Sequence, residues 1–251
     1  MRYKITLSYN GAAFCGWQRQ SSDPSVQQTL EESLGTLLRT PVEVTGAGRT
    51  DTGVNATGYV AHFDSEAVVD PGALVCKLNA ILPSSICVHN IAEAAPDFHA
   101  RFDASRREYT YFLHRGKDPF LSGNSYLCAY PVLDFEAMNK AAALLLGTHD
   151  FSCFEKTGAD NKTSICTIFE AHWDQYTPAV CCGAEGQYWK FTVAADRFLR
   201  NMVRAIVGTL IEVGRGKRTP ESILELLDSR ERSKAGESVP GFALYLSKIE
   251  Y

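Results

Sequence analysis

Asp51 stands in the segment GAGRTDTGVNA, where Gly46, Gly48 and Gly53 surround Arg49, Thr50, Asp51 and Thr52. A carboxylate is ionised at neutral pH and can serve as nucleophile or base without a metal. A glycine-rich loop between two apolar stretches would present such a group rigidly. Other uses of a glycine-rich loop fail on the residues. The phosphate-loop pattern GxxxxGK[ST] is missing, and the dinucleotide fingerprint breaks because Asp51 occupies the place of its third glycine. Asp and Thr are also ordinary turn residues, so a tight turn capped by Thr50 and Asp51 accounts for the same segment on residue types alone.

The remaining nucleophiles, bases and metal ligands form no set. The histidines are His62, His89, His99, His114, His149 and His172, and none lies in an HExxH or an i, i+4 pair. GxSxG is absent, which removes the usual hydrolase elbow. His149 and Asp150 are adjacent and would point apart, so their expected role is packing and bonding at the foot of the helix before them. Eight cysteines are scattered without a C-x-x-C pair, which argues against a zinc site or a disulfide framework and for reduced thiols in a cytoplasmic protein. No metal and no nucleotide cofactor is expected.

The formal net charge is −4, which disfavours a protein that coats nucleic acid along its whole surface. The distribution is less even. Arg197, Arg200, Arg204, Arg215, Lys217 and Arg218 face a single acid, Glu212, between residues 197 and 218, a concentrated patch that suits a docked RNA. Arg197, Arg200 and Arg204 are spaced i, i+3, i+7 and would form a row on one helix face.

These groups need elements to hold them. Tyr3, Ile5, Leu7 and Tyr9 alternate with polar neighbours, the mark of a strand rather than of a signal peptide. No apolar run is long enough to span a bilayer. Helices are expected at 26–39, with Ser25 as N-cap, at 70–82 with Pro71 in its first turn, at 134–147, over 198–214, and at 220–228 with Thr219 as cap. Strands are expected at 42–44, in YVAHFD, SSICVHNIAEA, REYTYFLHR, TSICTIFEAHWD, QYWKFTVAA and the terminal FALYLSKIEY. The pattern is α+β in two similar halves, residues 1–105 with the Asp51 loop and 106–251 with the basic helix and the C-terminal strand.

GAGRTDTGVNA closely resembles GAGRTDAGVHA of the tRNA pseudouridine synthase A (TruA) family. The resemblance extends in order through YNGAAFCGWQRQ, FHARF, SRREYTY, GTHDFSCF, FLRNMVRAIVG and LYL, and so covers essentially the whole chain. It implies two ferredoxin-like halves in one mixed, largely antiparallel sheet flanked by helices, with a cleft between them. It also implies a cofactor-free homodimeric isomerase acting on tRNA at uridines 38, 39 and 40 of the anticodon stem-loop. By the same resemblance Asp51 is the catalytic carboxylate, Arg49 the arginine two positions before it, and Tyr109 the active-site tyrosine. Arg204 is the arginine that pairs with the carboxylate, and Leu244 the leucine that packs beside the target base. Three positions depart from the family pattern. Asn55 replaces His, Cys166 stands where an Arg is expected, and Ala243 replaces Gly, and the first two would remove basic contacts to RNA.

The residue types suit that chemistry. Pseudouridine formation breaks the N1–C1′ bond, turns the detached uracil and rebonds it through C5, so the base must leave its stack and be held. Tyr109 can offer a ring face and a hydroxyl to a flipped base, although a cross-strand core tyrosine would look the same. A guanidinium such as Arg204 would orient a carboxylate. A non-catalytic RNA-binding module is the chief rival, but SRREYTYFL does not meet the RNP1 pattern, and a binder has no use for an intact GRTD block. A synthase acting at other RNA positions is the second.

Overall fold

A computed structural model describes residues 1–158 and 162–251. The described residues form two compact units, Met1–Ser105 together with Tyr245–Tyr251, and Arg106–Leu244. Each is α+β, and together they hold ten strands and five α-helices.

The first unit contains β1 (Arg2–Tyr9), α1 (Val26–Leu38), β2 (Val44–Gly46), β3 (Asn55–Asp64), α2 (Pro71–Ile81) and β4 (Ile86–Glu93). Its strands run in the order β4-β1-β3-β2 with antiparallel pairing throughout, the arrangement of a ferredoxin-like unit. Alternation in β1 does what its sequence requires, because Tyr3, Ile5, Leu7 and Tyr9 are buried and the residues between them are not. Leu30 and Leu34 of α1 and Leu74 and Leu78 of α2 complete the core. Ser25 caps α1 by accepting from the Gln28 N–H at 3.3 Å, and Asp70 caps α2, whose first residue is Pro71. The terminal strand, Leu244–Glu250, lies parallel to the start of β3, with Tyr245 opposite Asn55 and Leu246 opposite Ala56. The seven last residues therefore group with the first unit, whereas the sequence pattern places them with the second.

The second unit contains β5 (Arg106–His114), β6 (Tyr126–Leu127), α3 (Phe135–Ala143), β7 (Gly147–Asp150), β8 (Ile165–Gln175), β9 (Tyr188–Ala195), α4 (Met202–Gly214) and α5 (Ser222–Ser229), and the terminal strand is β10. Its sheet runs β5-β9-β8-β7, antiparallel, with the short β6 alongside β5 in parallel. Trp173, Phe191 and Val193 from the sheet and Met138, Ile206 and Leu210 from the helices are buried. Helix α4 begins four residues later than its apolar stripe suggests. The Asp196 carboxylate takes the Thr167 and Arg197 N–H groups at 2.8 and 2.7 Å, and Asn201 adopts a left-handed φ of 66°. Arg197 and Arg200 thus lie outside the helix, and the expected row of three arginines on one helix face does not form. Helix α5 also starts late, at Ser222, and the Thr219 carbonyl rather than its side chain meets the Ser222 N–H at 3.2 Å.

Candidate functional site

The Asp51 loop joins β2 to β3 and is held by the segment that follows β1. Thr50 is 8% exposed, and its hydroxyl shares a 2.9 Å hydrogen bond with the Tyr9 hydroxyl. The Thr50 carbonyl accepts from the Trp17 N–H at 3.4 Å, and the Gly53 N–H reaches the Phe14 carbonyl at 3.3 Å. Tyr59 closes the other side by donating to the Gly48 carbonyl at 2.5 Å. Its ring stacks on Trp17 with centroids 4.0 Å apart.

Two glycines make this packing achievable. A Cβ on Gly11 would collide with the Val54 carbonyl, and one on Gly16 with the Thr50 carbonyl. Gly16 also takes φ +90°, a backbone conformation that L side chains seldom adopt. The YNGAAFCGW segment is therefore a cradle for the loop, which explains why the two sequence blocks occur together. The chain alternates as it crosses the cradle. Thr50 points inward, while Arg49 is exposed and Asp51 half-exposed. Among the described residues the Arg49 side chain makes no hydrogen bond or ion pair, which leaves it open to an incoming ligand.

Asn55 is 3% exposed and accepts the Gly11 N–H at 2.8 Å. It ties the cradle to β3 and cannot be a surface contact to RNA. Cys166 is likewise in the interior, where burial pushes its thiol up to about 12, so neither departure from the family pattern removes an exposed cation. Ala243 is buried as well.

In the second unit Tyr109 lies on β5 opposite Val193 of β9. It is half-exposed and meets Phe198 edge to face at 5.1 Å. Tyr111, two residues on, is fully buried, and its hydroxyl has no hydrogen-bond partner among the described residues. Burial raises its pKa, and of the two tyrosines in Y-x-Y Tyr109 is the one open to solvent. Arg204 sits in the first turn of α4, half-buried. Its Nε donates to the Val239 carbonyl at 2.7 Å, and its own carbonyl accepts from the Val239 N–H at 3.2 Å, so the 239 segment fixes both backbone and side chain. Leu244 is 4% exposed. His149 bonds the Leu146 carbonyl at 2.9 Å and Asp150 the Ser152 N–H at 3.0 Å, the bonding at the foot of α3 that their adjacency suggested.

No three His, Cys, Asp or Glu side chains among the described residues stand together as a metal site, and no described helix is long and apolar enough to cross a membrane.

A family model described as tRNA pseudouridine synthase matches residues 141–251. The tRNA pseudouridine synthase A of Bacteroides thetaiotaomicron is 48% identical over 250 residues, spanning 100% of this chain and 90% of that protein. The chain belongs to the tRNA pseudouridine synthase A family. Members of the same name from Parabacteroides distasonis, 48% identical over 254 residues and covering 100% and 96% of the two chains, and from Porphyromonas gingivalis, 47% identical over 252 residues and covering 100% and 97%, agree. Family membership makes the protein an isomerase.

What the sequence did not reveal was the cradle. YNGAAFCGW was visible as a block, but nothing in its spacing says that Tyr9, Gly11, Gly16 and Trp17 pack on a loop more than thirty residues away.

Proposed function

We propose that the protein converts uridine to pseudouridine at positions 38, 39 and 40 of the tRNA anticodon stem-loop, with Asp51 as the catalytic carboxylate. The observation that carries the reading is the contrast within GRTD. Thr50 is locked into the interior, whereas Asp51 beside it stays accessible on a loop that cannot relax. A loop fixed in this way holds a reacting group where a bound substrate needs it, without reorganisation during the reaction.

The reaction is an isomerisation and needs neither oxidant nor second substrate. The uracil must be unstacked, detached from C1′, turned and rejoined through C5 while it stays bound. The carboxylate acts as nucleophile or base. Tyr109 supplies a ring face and a hydroxyl to the flipped base, and Leu244 an apolar wall. Arg49 and Arg204 supply cations for substrate binding. Arg49 is free to take a phosphate or to enter the space the base has left. We further propose that the protein works in the cytoplasm as a homodimer, because one tRNA is large against the basic face of a single acidic protomer.

The test is pseudouridine formation on a tRNA with uridine at 38, 39 and 40 and on the same tRNA with those uridines replaced. Product only on the first supports the reading. Equal product on both would assign the enzyme to other positions, and binding without product would make it a binder.

A further inference from the structure

The face of β1 and β3 that bears Lys4 and His62 carries a continuous run of aromatic rings. It leads from Tyr251 to Phe98 at 5.1 Å, from Phe98 to His62 at 6.0 Å, from His62 to His99 at 5.1 Å, and from His99 to Phe102 at 4.2 Å. The inner members have a plain structural task. They cover β1 and β3, and His62 is buried there. Phe102 does not share it. The residue is 74% exposed, yet its ring packs against that of His99, tilted by 31° with centroids 4.2 Å apart.

The position of that ring is fixed by the backbone. The Arg101 and Phe102 N–H groups both donate to His99 Nδ1, at 3.2 and 3.3 Å. The His99 N–H donates to the Asp103 carboxylate at 2.8 Å, and the Ala100 N–H to His62 Nδ1 at 3.1 Å. A turn tied at four points holds an apolar ring out in water. Cations flank the run at both ends, Lys4 Nζ being 4.3 Å from the Tyr251 ring and the Arg101 guanidinium 5.6 Å from that of Phe102.

We propose that Phe102 is a stacking platform for an unpaired base of the tRNA. The inference rests on the proposed tRNA substrate. Every base has a π-face, so an exposed ring held in place by its contact with His99 accepts a base without regard to sequence. A neighbouring guanidinium meets the phosphate that each nucleotide brings. Arg101 beside the ring favours an occupant that brings both a flat π-face and an anion, as a nucleotide does.

The experiment measures tRNA affinity for wild type, Phe102→Ala and Phe102→Trp across a salt series, with pseudouridine formation and sedimentation run in parallel. Removal of one base–aromatic stack weakens binding by about 5- to 150-fold. Phe102→Ala is expected to lose affinity within that range at every salt concentration, with parallel salt slopes, because a stack releases no counterions. Phe102→Trp should bind as wild type or tighter. Affinity within two-fold of wild type for Phe102→Ala would overturn the proposal. So would a changed salt slope, which would mark a phosphate contact, or a shift from dimer to monomer, which would mark a subunit interface. Should wild type bind tRNA and form pseudouridine while Phe102→Ala matches it, only the platform fails. If wild type forms no pseudouridine, the underlying reading fails instead.

Discussion

Gly16→Ala perturbs the Asp51 loop without replacing any residue proposed to act on substrate. Two effects add at this position. The first is the backbone, since an L residue held at φ +90° costs about 1–3 kcal/mol. The second is contact. The new methyl would stand well under 3.0 Å from the Thr50 carbonyl oxygen, so that carbonyl must retreat by about 1 Å, and a displacement of that order costs roughly 10²-fold in rate when it misplaces a catalytic group. Asp51 is the next residue and moves with it. The strain alone should lower the melting temperature by roughly 3–10 °C in a chain of this size. Single-turnover pseudouridine formation and thermal melting, measured together, read the two effects. Gly123→Ala separates them, because Gly123 has φ +80° but no atom within 4 Å of where a methyl would stand. That variant should melt lower and keep full turnover. A Gly16→Ala enzyme with wild-type turnover would refute the claim that the cradle sets the position of Asp51.

Tyr109→Phe should keep most of the tRNA affinity and lose activity, because the ring still stacks while the hydroxyl that can bond a positioning or proton-transferring partner is gone; near-wild-type turnover would leave Tyr109 a stacking role only. Stability should fall on acidification through two buried histidines. Burial lowers the pKa of both His62 and His114, so their contribution is complete above the unfolded value of 6.5 and is lost as the pH drops through the lower folded values. Urea midpoints at pH 7.5 and 5.5 should show this decline, and His62→Gln should flatten it; a midpoint that holds steady between those pH values would contradict the assignment. Dialysis against a chelator should leave turnover intact, and activity restored only by a divalent ion, with the tRNA already folded, would count against carboxylate chemistry without a metal.

Much of the fold could be read from periodicity and capping residues. Ser25 and Asp70 mark the starts of α1 and α2, and the alternation of β1 gives its buried face directly, because these signals act over a few residues. Helix α4 shows where such reading stops. Its apolar stripe continues upstream of Met202, but Asp196 binds two backbone N–H groups, one of them from β8, and the chain turns through Asn201 before the helix begins. Local propensity carries no trace of that competition. The pairing of β10 with β3 was equally invisible, since it joins residues 190 positions apart and depends on no local pattern. At the candidate site the residue types of GRTD left an enzyme loop and a capped turn undecided, and it was the resemblance that named Asp51. The inward role of Asn55 and Cys166 followed only from burial, which a single sequence does not record. The exposed ring of Phe102 is a further case, for FHARF reads as an ordinary amphipathic stretch until its turn is seen to hold one phenylalanine in water.

Asp51→Asn tests the central claim most directly. Asn is nearly isosteric and keeps a side-chain oxygen for the turn, so the substitution removes the charge and leaves the shape. With enzyme in excess over tRNA in a single turnover, the variant should fold, bind tRNA as wild type does, and form no pseudouridine. Product at more than a small fraction of the wild-type rate would contradict the account and return Asp51 to the role of a turn residue.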